Sequence, residues 1–158
     1  MKMEEVICNL PTTEDEFCYR IYCIERDLSK FFSNILRDFN LTFTQYTTLL
    51  ILWNEEEPMR MTELTKRLQL DCGTTSPLFK RMERNNWIVR KYASDDRRKI
   101  YIELTQNGRE QQKAINERVT RCLLYVSSSQ AEHEQDNKTI ARMQSKLKKA
   151  NDYLEDLF

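Results

Sequence analysis

Met61-Thr62-Glu63-Leu64-Thr65-Lys66-Arg67-Leu68 begins the stretch that decides the fold, 61–105. A second helical pattern covers 74–86 and carries Lys80, Arg81 and Arg84. Ile88-Val89-Arg90-Lys91-Tyr92 and Lys99-Ile100-Tyr101-Ile102-Glu103-Leu104 then read as strands around the charged loop Ala93-Ser94-Asp95-Asp96-Arg97-Arg98. Helix, turn, helix, hairpin is a winged helix-turn-helix, in which one helix enters the DNA major groove and the loop reaches the neighbouring minor groove. The expected ligand is double-stranded DNA.

Within that stretch, a duplex-reading helix needs small polar residues at its leading end and basic residues farther along. Asp71-Cys72-Gly73-Thr74-Thr75-Ser76 supplies the first, and Lys80 and Arg81 the second. Where the helix starts is open. Local rules place Pro77 in the first helical position after Ser76, whereas Asp71 as an earlier cap leaves Pro77 more than a turn inside. Arg97 and Arg98 fall at the hairpin tip, suited to a narrow electronegative minor groove, and Arg90 adds a cation on the first strand. Asp96 repels phosphate, so its expected part is to brace Arg98 or another basic residue.

Charge supports this reading once it is counted locally. The 158 residues carry no formal net charge, which taken whole argues against a nucleic-acid partner. Residues 60–99, however, hold eleven Lys/Arg against five Asp/Glu, a local +6, and the remaining fourteen against twenty carry −6. A basic module on an acidic frame is the electrostatic footprint of a phosphate-facing surface.

Two glycines and three prolines in 158 residues imply a mainly α chain with few tight turns and a small β-hairpin wing, an α+β class. Thr13-x-x-Glu16 reads as a capping box, and Phe17, Ile21, Ile24, Leu28, Phe31, Ile35 and Phe39 then form an apolar stripe ending near Asn40. A second helix starts at Thr44-Gln45-Tyr46 and ends by Pro58. Thr105-Gln106-Asn107-Gly108 breaks the strand and opens a helix from about Arg109 to Tyr125. The last helix runs from about Ala131 to Leu157. The expected organisation is one domain over 1–158, with a DNA-binding lobe at 44–105. Flanking helices at 12–40 and 106–158 have apolar stripes that a two-fold homodimer would cover.

No apolar run approaches a membrane span and no signal-peptide pattern opens the chain, which points to a cytoplasmic protein without a membrane partner. The five cysteines (8, 18, 23, 72, 122) do not form a secreted disulfide framework. Without a Cys-x-x-Cys pair, and with His133 as the single histidine, no metal or other cofactor is expected. Nor does any histidine base, phosphate loop or carboxylate pair suggest an enzyme. Cys8 and Cys23 read as small hydrophobes.

Leu70-Asp71-Cys72-Gly73-Thr74-Thr75, with Asp96-Arg97-Arg98 and Leu104-Thr105-x-x-Gly108, resembles the MarR family of bacterial transcriptional regulators. It is most similar to the branch that senses organic hydroperoxides through cysteine (OhrR-like). The resemblance implies a dimer that represses genes at pseudo-palindromic operators, with the helix near Asp71 as recognition helix. It also implies a redox-sensing cysteine in an aromatic context, which Phe17-Cys18-Tyr19 matches, with Tyr22 lining the pocket. Some relatives carry a resolving cysteine that pairs with the first across the dimer, and Cys122 falls at that place. Phe32 and Phe43 stand where the branch has two tyrosines that hydrogen-bond the thiol, and neither can donate. The inducer is read as an oxidant acting on Cys18; the alternative, which the two phenylalanines favour, is a small aromatic ligand bound non-covalently.

Overall fold

The computed structural model describes residues 17–155 apart from Arg97, together with Leu157. The Thr13–Glu16 capping box, Cys8 and the wing residue Arg97 lie outside the described residues. Contacts divide the chain into two compact units, residues 1–115 and 116–158.

In the first unit, helix α1 (Phe17–Leu36) buries Phe32, Ile35 and Leu36 at its end and leaves Phe17, Tyr22, Ile24 and Leu28 exposed. A 3-10 turn over Arg37–Phe39 closes at Asn40, whose φ of 52° is left-handed, a conformation asparagine tolerates. Helix α2 (Phe43–Trp53) is started by a reciprocal capping box. The Gln45 N–H donates to Thr42 Oγ1 at 3.3 Å and the Thr42 N–H to Gln45 Oε1 at 2.9 Å.

Strand β1 (Met59–Arg60) leads into α3 (Met61–Arg67), and α4 (Cys72–Arg84) follows after Gln69 turns left-handed at φ 55°. Strands β2 (Ile88–Tyr92) and β3 (Ile100–Leu104) form the hairpin. The antiparallel sheet runs β1-β3-β2, with Met59 opposite Ile102 and Arg90 also opposite Ile102 from the other side. The third strand is only two residues long, too short for alternation to reveal in the sequence. Leu49, Leu64, Phe79, Met82, Ile88 and Ile102 are fully buried and form the core under α4.

One expected boundary is corrected. The helix after the wing starts at Gln106, not near Arg109: α5 (Gln106–Glu110) has Thr105 as its N-cap, with the Gly108 N–H donating to Thr105 Oγ1 at 3.0 Å. Gly108 therefore sits inside the helix, where it meets another backbone rather than ending an element. Its carbonyl accepts from Trp53 Nε1 at 2.8 Å, and α6 (Gln112–Leu123) continues from Gln111.

The second unit holds the end of α6 and helix α7 (Gln130–Glu155). Helix α7 buries no residue, and Ile140, Leu147, Tyr153 and Leu154 along it are exposed. Among the described residues, no helix is long and apolar enough to cross a membrane.

Candidate DNA-reading face and sensor cysteines

Asp71 settles where α4 begins. Its carboxylate accepts from the Thr74 N–H at 2.8 Å and from Thr74 Oγ1 at 2.7 Å, so it is the N-cap and Cys72 is the first helical residue. Those two bonds, the hydroxyl first, hold the Asp71 carboxyl below its usual pKa. Pro77 lies inside the helix, so the start at Ser76 does not hold. The Asp71 cap acts together with burial of Thr75, Leu78, Phe79 and Met82 on the same helix, and tertiary packing of this kind overrides the local cost of Pro77. A Cβ at Gly73 would stand 2.9 Å from Asp71 Oδ1, so a side chain there would push on the capping carboxylate.

Helical spacing then sorts the side chains. Thr75, Leu78, Phe79 and Met82 are buried, while Gly73, Thr74, Pro77, Lys80, Arg81 and Arg84 face outward and Ser76 is half-buried. Thr75 departs from the expectation that it reads DNA. It is fully buried, with its hydroxyl 2.9 Å from that of Thr65 and donating to the Asp71 carbonyl at 3.1 Å. Its turn of the helix points at α3, and the hydroxyl satisfies the core.

Arg90 is also committed within the fold. Its Nε donates to Glu83 Oε2 at 2.7 Å, its backbone N–H donates to Glu83 Oε1 at 3.0 Å, and Nη2 lies 2.6 Å from Oε2. Hydrogen bonding to Arg90, ahead of simple charge attraction, holds the Glu83 carboxyl below its usual range. This clamp joins the recognition helix to the first wing strand.

At the wing, Asp96 Oδ1 accepts from the Arg98 N–H at 2.9 Å and from Arg98 Nε at 3.2 Å. The Arg98 side chain is 92% exposed. Lys99 Nζ lies 2.7 Å from Asp95 Oδ2, a bond that holds Asp95 below its usual pKa. Between the wing root and the leading ends of α3 and α4 is a pocket of about 150 Å³, lined by Arg60, Thr62, Thr65, Cys72, Arg98 and Lys99 among others. Arg60 and Lys99 were not singled out from sequence. Arg60 is in the two-residue strand, which leaves no sequence pattern.

Cys18 is an exposed free thiol on α1, and Tyr22, one turn on, is also exposed. Tyr19 and Tyr22 have ring centroids 6.3 Å apart. Cys72 is exposed, and Cys23 and Cys122 are half-buried free thiols. Phe32 and Phe43 stack at 4.1 Å, with Tyr46 5.9 Å from Phe32 and Trp53 6.2 Å from Tyr46. Burial in this row raises the Tyr46 phenol's pKa.

A capped helix with a basic outer face, beside a hairpin whose turn presents arginine, defines a winged-helix DNA-binding regulator. The profile of the SarA/Rot transcriptional regulators matches residues 30–115. The chain is 30% identical over 131 residues to the HTH-type transcriptional regulator MgrA of Staphylococcus aureus, covering 82% of this chain and 88% of that one. It is 37% identical over 95 residues to the organic hydroperoxide resistance transcriptional regulator of Bacillus subtilis, covering 60% of this chain and 64% of that protein's length. Reduced AbfR bound to DNA, a protein of Staphylococcus epidermidis, superposes with a TM-score of 0.77 at 31% identity, covering 84% of this chain and 90% of the other. The same protein has been solved in a disulfide form, with a TM-score of 0.61 at 32% identity, covering 80% and 88%. The chain belongs to the SarA/Rot family of MarR-like, DNA-binding transcriptional regulators.

Proposed function

We propose that this regulator is a homodimeric repressor that leaves a pseudo-palindromic operator when Cys18 is oxidised by an organic hydroperoxide or a related oxidant or electrophile. The observation that carries this reading is the exposed Cys18 thiol, set among Phe17, Tyr19 and Tyr22 on α1. Relatives described as an organic hydroperoxide resistance regulator and as reduced and disulfide forms of one protein support it. In the first step, the Cys18 thiolate attacks the peroxide oxygen, giving a sulfenic acid and releasing the alcohol once a proton is taken up. In the second, the Cys122 thiol of the partner subunit displaces that hydroxyl as water and forms an S–S bond. The exposed apolar residues of α1 and α7 support pairing of two copies through the flanking helices.

On the DNA side, the outer face of α4 reads the major groove, with Cys72, Gly73, Thr74 and Ser76 leading and Lys80 and Arg81 on phosphates. Arg98 reaches into the minor groove, with Asp96 fixing it. Half-sites then lie about one helical turn, or 34–36 Å, apart. A small rotation between subunits is enough to lose register.

A gel-shift titration on the protein's own upstream DNA tests the switch, comparing reduced protein with protein treated with cumene hydroperoxide. Wild type should lose binding on oxidation and Cys18→Ser should not. A covalent dimer of oxidised Cys122→Ser on a non-reducing gel would exclude Cys122 as the resolving thiol. The second reading, a non-covalent aromatic inducer, is favoured by the Phe32–Phe43 stack, which offers no hydroxyl to a thiolate. Release of Cys18→Ser from DNA by such a compound, without oxidant, would establish it.

A further inference from the structure

We propose that the pocket between the wing root and the leading ends of α3 and α4 seats one phosphate of the DNA backbone, with Arg60 as a cation of that seat. The proposal rests on the DNA-reading geometry above and adds a contact from outside the recognition helix and the hairpin. In a duplex, a sugar-phosphate backbone always separates a major groove from the adjacent minor groove. If α4 occupies one groove and the wing the other, the protein surface joining them faces that backbone.

In this chain the joining surface is a hollow. Its volume of about 150 Å³ is well above the roughly 10–15 Å³ that one water needs, so a phosphodiester group can enter it. Arg60, Arg98 and Lys99 line it, and no carboxylate does. Arg60 is placed there by the sheet: β1 pairs it with Tyr101, two residues beyond Lys99 on β3. It is exposed, and its side chain makes no capping bond to α3.

Asp95 and Asp96 hold Lys99 and Arg98 from the wing, and Asp95 also feels the charge of Arg60. Arg60 and Lys99 at the hollow, with Arg98 at its edge, outnumber Asp95 and Asp96, a balance that favours an anion there. Thr62 and Cys72 on the rim offer a hydroxyl and a weak S–H donor.

The test is an anisotropy titration over a potassium chloride series, using the protein's upstream DNA and a scrambled duplex, for wild type, Arg60→Gln, Arg60→Lys and Lys80→Gln. Arg60→Gln is expected to reduce the log–log salt slope by about 1.8 per bound dimer, about 0.9 for the one phosphate seated by each subunit. The affinity loss should be equal on both duplexes, because a backbone contact carries no sequence information. Arg60→Lys, which keeps the charge, should retain the wild-type slope. Replacing single phosphates with neutral methylphosphonate should reveal one position in each half-site that weakens wild type and leaves Arg60→Gln unchanged.

An unchanged slope in Arg60→Gln, with Lys80→Gln still lowering it, would overturn the seat and leave the DNA-reading face standing. A loss confined to the upstream DNA would overturn it as well. Inorganic phosphate raising the Tm of wild type but not of Arg60→Gln, with equal slopes, would assign the pocket to a free phosphate-bearing ligand instead. A wild-type affinity independent of salt would remove the DNA-reading geometry and the seat together.

Discussion

Gly108 has no room for a methyl group: a Cβ would stand 2.4 Å from the Trp87 carbonyl oxygen, a backbone atom that cannot swing aside. Gly108→Ala is therefore expected to cost about 1–3 kcal/mol, the usual penalty of overpacking, read as a lower urea midpoint with unchanged m. Glu83 gives a second expectation, this one dependent on pH. Its carboxyl is held below the ordinary value of 4.5 by Arg90, so its contribution is complete above that value and disappears as pH falls through the depressed pKa. Against Glu83→Gln, wild type should be about 1 kcal/mol more stable at neutral pH. That gap should shrink steadily in urea titrations run from just above pH 4.5 downward. A constant gap would mean that the clamp acts through packing rather than charge.

Helix ends in this chain mostly do without glycine. Asn40, Gln69 and Asn86 take the left-handed conformation at φ of 52–58°, a placement that costs an L-residue about 1–2 kcal/mol. Gln69→Gly should recover that penalty less the roughly 0.4–1 kcal/mol that glycine's greater chain freedom takes back, a net gain near 0.5–1 kcal/mol in thermal unfolding. In the wing, Asp96→Asn removes a negative charge from a loop proposed to meet DNA, and charge counting alone predicts tighter binding. Release of Arg98 from its brace predicts the opposite, about fivefold weaker affinity, or roughly 1 kcal/mol, by anisotropy at fixed salt. The helix pair and hairpin were legible in the sequence because period and turn chemistry agree over 61–105. The start of α4 was ambiguous because Asp71 and Pro77 give competing local signals, decided by two hydrogen bonds to Thr74. That Thr75 faces inward and that Arg90 is clamped depend on tertiary neighbours, α3 and Glu83, which no local pattern reports.

If α1 and α7 meet a second copy, folding and association are one equilibrium. Tenfold dilution then removes about 1.4 kcal/mol per dimer and lowers Tm by about 2–4 °C. A Tm independent of concentration, with a monomer in sedimentation, would leave those apolar stripes for another partner. The junction around Gly108 has a practical consequence as well. Both tryptophans of the chain converge on it, Trp53 through its indole N–H and Trp87 through a carbonyl that also accepts from the Thr105 N–H. The Trp53 indole therefore emits from the place where the wing sheet gives way to the following helix. The protein carries an intrinsic optical gauge there, able to follow movement at that junction on DNA binding or on addition of the proposed oxidant, without an attached dye.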